Sequence, residues 1–182
     1  MHWISGRDGA DVSQVPLSQL IAPAAVLGFS ADVADNPDFL VVVAHIKDCE
    51  PEHGGLPAGG WLICRTGWDA RSAHRDSFLN ADDTRPHTPG FSVECAEWLA
   101  TEAPIIGRGV ETECTDAGAA HSFEPAFPCH RNLLGAGKYG LTQLQNVAKL
   151  PPTGALILTA PLPIVGGSGS PTRALVLVGH SS

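Results

Sequence analysis

The chain has 182 residues, of which 43% are hydrophobic and 16% charged, a composition typical of a folded globular protein. Eleven basic and nineteen acidic residues give a net charge of -8 without a basic cluster, so nucleic acid is excluded as a partner. No apolar run reaches the roughly 18 residues that a membrane-spanning helix needs, and the first residues do not resemble a signal peptide.

The first predicted elements occupy the N-terminal half of the chain. Residues 17–27 predict a short element that leads into an apolar segment. Residues 39–44 form a continuous apolar, β-branched run and predict a strand buried on both faces. Residues 61–66 predict a second strand. Ser92 is a good N-cap for a helix that continues to Leu99.

Three further strands are predicted in the second half of the chain. Residues 104–107 open one strand, and residues 155–158 and 174–178 form two more, joined by a Gly/Ser-rich turn. The sequence contains no internal repeat and no linker. It therefore predicts one domain over residues 1–182, of the α/β (mixed α+β) class, with a mixed β-sheet flanked by helices.

The cysteines indicate a reducing compartment. They are odd in number and contain no C-x-x-C pair, which favours free thiols in the cytoplasm over disulfides or structural zinc: Cys49, Cys64, Cys95, Cys114 and Cys129. Cys129 precedes His130, but adjacent residues of an extended segment point to opposite faces. We therefore interpret Cys129 as a buried small residue rather than a nucleophile.

Two other segments contain residues that could bind ligands. The run from His45 to His53 holds several histidine, cysteine and carboxylate side chains, but its spacing matches no zinc motif, which favours a solvated turn or a helix start. Residues 166–169 are glycine-rich, but they lead into Pro171 and a strand. Phosphate-binding loops lead into a helix N-terminus instead, so no nucleotide site is predicted here.

Three segments carry a family resemblance. Residues 127–144 read F-P-C-H-R-N-L-L-G-A-G-K-Y-G-L-T-Q-L, and Ala160-Pro161-Leu162 and residues 166–173 follow in that order. Together they resemble the C-terminal half of the cyclase family of metal-dependent hydrolases, which includes bacterial kynurenine formamidase and isatin hydrolase. The resemblance implies a swivelling β/β/α fold and hydrolysis of an amide, lactam or lactone bond.

The family's metal-binding motif has no counterpart in these 182 residues. Family members carry His-x-Gly-Thr-His-x-Asp-x-Pro-x-His, often followed by Trp, in which the first two His and the Asp hold the metal and the last His is the general acid/base. Met1-His2-Trp3 places His2 at the last of these positions, which implies a catalytic role for His2 and a substrate-binding role for Trp3. Because no His-x3-His-x-Asp occurs, we expect an N-terminally truncated domain with no metal ligands and no cofactor, whereas complete relatives bind Mn²⁺ or Zn²⁺.

Further site residues follow from the same resemblance. His130 is implied as a catalytic residue close to the metal or to the substrate carbonyl, and His87, Glu111 and Gln143 as substrate-binding residues. Glu111 belongs to an acidic stretch that ends at Asp116, which could bind a cation or organise the loop beside the site. Thr142 takes the place of a glutamate that formamidase-like members use as a further metal ligand.

Two hypotheses about function remain open. The first is a cyclase-family hydrolase that acts on a small carbonyl substrate, with metal-dependent activity impaired or absent. The second is a non-catalytic small-molecule-binding or homo-oligomeric assembly module derived from the same fold. A homo-oligomer is expected because the loss of strands exposes sheet edges that seek partners.

Overall fold

The computed structural model describes residues 10–179, and a six-stranded mixed sheet forms their centre. In chain order the strands are β1 (Ile21–Gly28), β2 (Leu40–Val41), β3 (Trp61–Arg65), β4 (Gly90–Phe91), β5 (Gly107–Val110), β6 (Tyr139–Leu141), β7 (Ala155–Thr159) and β8 (Ala174–Val178). The order across the large sheet is β6-β5-β3-β1-β7-β8, and β2 pairs with β4 separately. The first four strands in this order are parallel, and β7 and β8 pair antiparallel. The predicted mixed α/β fold is confirmed.

Within residues 10–179, five short α-helices flank the sheet. They are α1 (Leu17–Leu20), α2 (Ser30–Asp35), α3 (Val43–His53), α4 (Arg75–Leu79) and α5 (Val93–Thr101). Single turns of 3₁₀-helix cover Val12–Gln14, Trp68–Arg71, Ala120–Ser122 and Val147–Lys149, and a π-helical turn covers Cys129–Leu133. Within residues 10–179, none of these helices has the length and apolar character that crossing a membrane requires.

The core has one layer on each face of the sheet. The larger layer packs α3, α5 and the π-helical turn against one face, and the smaller layer surrounds Trp61 and Ile157 on the other. Successive residues of β5 point alternately to the two core layers. A Cβ on Gly107 or Gly109 would touch the smaller layer, whereas Val110 belongs to the larger one. Arg108 lies on the same face as Val110 because side chains two residues apart in a strand share a face.

The strand and helix predictions in the middle of the chain are confirmed. β3 begins at the predicted Trp61, and all but its last residue are buried. The Ser92 hydroxyl accepts a hydrogen bond from the backbone N–H of Cys95, as an N-cap does. The resulting helix α5 buries Ala96 and Leu99.

The prediction of one long strand over residues 39–44 is wrong. Only Leu40 and Val41 form a strand, and α3 begins at Val43. The ring of His45 stacks on Phe39 at 5.2 Å, and its Nδ1 accepts a hydrogen bond from the backbone N–H of Val42. These contacts stabilise the first helical turn, so the apolar run divides between strand and helix. The run from His45 to His53, predicted to be a solvated turn or a helix start, forms most of α3.

Candidate active site

The parallel strands end at one edge of the sheet, and polar residues follow directly after three of them. Thr66 follows β3, Glu111 follows β5, and Thr142 follows β6. Ligands of open α/β sheets bind outside the carboxyl ends of parallel strands. This edge is therefore the candidate site.

Asp116 and His130 form a close pair within the segment that connects β5 to β6. One carboxylate oxygen of Asp116 accepts the backbone N–H of Cys129 at 2.7 Å, and the other accepts that of His130 at 3.1 Å. The second oxygen also lies 2.5 Å from Nδ1 of the His130 ring. The carboxylate thus caps the first residues of the π-helical turn and fixes the ring. Such turns occur frequently at functional sites because they redirect side chains.

The environment keeps Asp116 ionised. The side chain is 1% exposed, whereas that of His130 is 30% exposed. Burial favours the neutral carboxyl, but the hydrogen bonds from His130 and Cys129 and the charge of Arg108 outweigh it, so the pKa of Asp116 lies below its usual value. An ionised Asp116 accepts the Nδ1–H of His130, which leaves Nε2 as the nitrogen that carries the lone pair of the neutral ring.

The two residues before Asp116, Cys114 and Thr115, also contact the Asp116–His130 pair. The hydroxyl of Thr115 lies 3.4 Å from Nδ1 of His130, and the thiol sulfur of Cys114 lies 3.5 Å from the backbone nitrogen of Asp116. Burial raises the pKa of the Cys114 thiol. Cys129 is 1% exposed, so the prediction that it is a buried small residue is confirmed, and burial raises the pKa of its thiol well above the ordinary value.

Glu111 links β5 to the segment after β3. Its side chain is fully buried, and one carboxylate oxygen accepts the backbone N–H and the hydroxyl of Thr66, each at 2.7 Å, and the backbone N–H of Trp68 at 3.1 Å. The other oxygen has no hydrogen-bond partner among residues 10–179. Glu111 thus organises this edge, and its contact with a substrate stays a prediction.

His87 belongs to a charged network beside the site. Its Nδ1 lies 2.7 Å from Asp38 and its Nε2 lies 3.0 Å from Asp82, while Arg85 binds both oxygens of Asp38 at 2.6 and 2.8 Å. The loop reaches the Asp116 segment because the N–H of Gly118 donates to the carbonyl of Thr88 at 3.0 Å. The prediction that His87 lines the substrate pocket remains a prediction.

This network leads to a pH prediction. The hydrogen bonds to Asp38 and Asp82 raise the pKa of His87 above its ordinary value. Its contribution to stability is therefore complete below the unfolded pKa of about 6.5 and is lost as the pH rises through the higher folded pKa. We expect an NMR titration of the ring to show the raised pKa, and Asp38→Asn to lower it. Asp48→Asn, at an exposed position of α3, should leave it unchanged; equal shifts in both variants would contradict the assignment.

Gln143 lies where two clefts meet. Its φ of 59° is in the left-handed region, and its N–H donates to the carbonyl of Thr112 at 2.9 Å. Clefts of about 410 and 640 Å³ both contact Leu141, Thr142, Gln143 and Thr172. The position fits the predicted substrate-binding role, which no contact in the described chain tests. His2 and Trp3 lie outside the described residues.

Comparison with known proteins decides the family. The sequence model of the family described as putative cyclase matches residues 1–117. Isatin hydrolase of Roseibium aggregatum is 44% identical over 179 residues, which are 97% of this chain and 68% of the relative. Isatin hydrolase A from Ralstonia solanacearum is 46% identical with a TM-score of 0.94, over 98% of this chain and 68% of that one. The chain belongs to the cyclase family.

A third relative carries a ligand. An isatin hydrolase crystallised with the product analogue thioisatinate is 44% identical, with a TM-score of 0.92 over 98% of this chain and 69% of that one. The predicted relationship to the cyclase family of metal-dependent hydrolases is confirmed. The predicted likeness of the fold to this family is confirmed as well.

The donors of this cyclase-family chain do not form a convincing metal site within the described residues. Cys114, Asp116 and His130 offer ligand atoms within 4.8 Å of one another. However, both oxygens of Asp116 already accept N–H groups, and burial raises the pKa of the Cys114 thiol, which disfavours the thiolate that a metal binds. A catalytic divalent metal takes about three protein ligands, so residues 10–179 do not fit the metal that the family implies.

Two residues of the site were absent from the sequence predictions. Thr115 contacts the His130 ring, and Arg108 donates to the carbonyl of Thr115. Arg108 could have been found from its setting, because a single arginine between two glycines in an apolar strand predicts a buried charge that needs partners. Thr115 carries no comparable signal.

Proposed function

We propose that this cyclase-family chain is a hydrolase of the isatin-hydrolase type, which opens the amide bond of a small planar lactam. The observation that carries the proposal is the Asp116–His130 pair, in which a buried carboxylate oxygen lies 2.5 Å from Nδ1 of the ring. Identities of 44% and 46% to isatin hydrolases support the substrate class. Isatin is such a lactam, and its hydrolysis yields a carboxylate and an aromatic amine.

The pair performs the proton transfers of this reaction. Asp116 accepts the Nδ1–H of His130, so Nε2 takes a proton from water while the water oxygen bonds to the lactam carbonyl carbon. The C–N bond then breaks, and the same proton passes from Nε2 to the leaving nitrogen. The buried Asp116 stabilises the charged ring between the two steps, as the carboxylate of a catalytic triad does.

The 182 residues by themselves hold no divalent metal tightly in this proposal. It is supported by the lack of His-x3-His-x-Asp in the sequence and by the engaged donors around Asp116. Metal-dependent turnover by this chain is therefore weak or absent. The chain contributes the pocket wall and the proton-transfer pair.

A fusion protein tests both parts of the proposal. A segment with the family's His-x-Gly-Thr-His-x-Asp motif, taken from the Ralstonia isatin hydrolase, would be placed ahead of residue 1. With Mn²⁺ present, we expect isatin hydrolysis by the fusion and little by the chain alone. His130→Ala in the fusion should lower kcat at least about 100-fold, whereas His121→Ala, a matched change on a 3₁₀ turn, should not.

Three outcomes would contradict the proposal. Substantial isatin turnover by the chain alone would show that the 182 residues suffice. A fusion that binds Mn²⁺ but does not hydrolyse isatin would show that the chain does not complete the site. A fusion whose activity survives His130→Ala would remove His130 from the chemistry.

A second candidate function is a homo-oligomeric assembly module, which an apolar sheet face favours. Ile21, Leu158 and Leu175 are paired across β1, β7 and β8, as are Pro23, Leu156 and Leu177. Leu175 is 51% exposed and Leu177 is 63% exposed. Such faces mark interaction surfaces. Sedimentation of the chain at micromolar concentration tests this second function, because a sharp monomer mass would exclude self-association.

A further inference from the structure

Arg108 is a charged residue inside the core. It is 1% exposed on β5, and its guanidinium carbon lies 4.2 Å above the ring of Phe91. Burying a cation is costly unless it is paired or hydrogen-bonded. A stacked aromatic ring compensates part of that cost. The other contacts of the guanidinium therefore indicate which part of the protein the buried charge stabilises.

Those contacts lead to the candidate site. Nη2 of the guanidinium donates to the carbonyl of Thr115, while Nη1 has no hydrogen-bond partner within residues 10–179. Thr115 is the residue before Asp116, and its hydroxyl lies 3.4 Å from Nδ1 of His130. The charge of Arg108 also helps to keep Asp116 ionised. The guanidinium thus lies behind the short segment that holds the His130 ring.

We propose that Arg108 is a positioning residue, which acts through the Thr115 carbonyl to hold the Asp116 carboxylate against Nδ1 of His130 and so keeps the ring in its Nδ1–H form. The hydrogen bond fixes the peptide that leads into Asp116, and a fixed carboxylate selects the tautomer. This inference rests on the proposed role of His130 in proton transfer. It differs from a space-filling role, because a methionine of similar length could fill the core without selecting a tautomer.

The tautomer of His130 in the chain as it exists is the direct readout. Nitrogen-15 NMR at a pH where the ring is neutral distinguishes the Nδ1–H form from the Nε2–H form. We expect mainly the Nδ1–H form in the wild type and at least about a tenfold fall in its ratio to the other form in Arg108→Met, the size of one charge-assisted hydrogen bond. Leu99→Ala, which removes a fully buried side chain from the same core layer, should leave the ratio unchanged.

The possible results distinguish a positioning role of Arg108 from a space-filling role. An unchanged ratio in Arg108→Met, or an equal fall in Leu99→Ala, would overturn the proposal. If Arg108→Met does not fold, Arg108→Leu is measured instead; it also removes every donor to the Thr115 carbonyl, and an unchanged ratio there has the same meaning. In the wild type, guanidinium N–H groups of Arg108 that exchange with water as fast as those of a free arginine would also overturn it. None of these readouts needs turnover, so an inactive fusion protein would overturn the proposed function alone.

Discussion

Asp116→Ala is expected to lower the free energy of unfolding by about 3–5 kcal/mol, because it removes a buried carboxylate that accepts several charge-assisted hydrogen bonds. The carboxylate accepts the backbone N–H groups of Cys129 and His130 and the ring N–H of His130. Its removal leaves buried donors without an acceptor and Arg108 without a neighbouring negative charge. Urea denaturation followed by circular dichroism measures the effect.

The control and the pH dependence make this prediction specific. Asp35→Ala, at an exposed position of α2, should change the free energy of unfolding by less than about 0.5 kcal/mol. Because the pKa of Asp116 is lowered in the folded state, its contribution is present above the unfolded pKa of about 3.9 and is lost as the pH falls through the folded pKa. The difference between wild type and Asp116→Ala should therefore narrow in acid. A difference below about 1 kcal/mol at neutral pH would contradict the role of Asp116 as a cap.

Gly118→Ala is expected to destabilise the protein by about 3 kcal/mol, at the upper end of overpacking effects. A Cβ at this position would overlap the carbonyl oxygen of Pro86 and lie 3.0 Å from the backbone nitrogen of Thr88. Both neighbours are backbone atoms, which cannot rotate away as a side chain can. The substitution should separate the loop that carries His87 from the segment that carries Asp116.

A glycine in open space provides the matched control. A Cβ on Gly55 would meet no atom within 4 Å, so Gly55→Ala should be neutral or stabilise slightly by reducing the entropy of the unfolded chain. Thermal unfolding of the two variants side by side measures the difference. Equal unfolding temperatures for the two variants would show that the loop with His87 and the segment with Asp116 are not packed against each other as described.

Much of the fold could be predicted because local signals and burial agree. The apolar run that begins at Trp61 forms a central strand, and the Ser92 hydroxyl caps α5. The prediction of a strand over residues 39–44 was wrong because a short apolar, β-branched segment is compatible with both a buried strand and the start of a buried helix. The contacts of His45 with Phe39 and Val42 decide between them, and such tertiary contacts leave no periodic signal.

The site could be predicted only in part. The resemblance pointed to His130 and to the acidic segment that ends at Asp116. Fourteen positions separate the two residues, so their contact depends on the π-helical turn, which has no sequence signature of its own. The buried role of Glu111 was equally hidden, because its acceptor function arises only when the ends of β3 and β5 lie side by side.

Metal content tests the central claim most directly. The purified chain would be incubated with Mn²⁺ and with Zn²⁺, desalted, and examined by elemental mass spectrometry. Because the donors around Asp116 are engaged and the His-x3-His-x-Asp ligands do not occur in the 182 residues, we predict far less than one metal ion per chain. One tightly held ion per chain would contradict the account and would show that these residues complete a metal site.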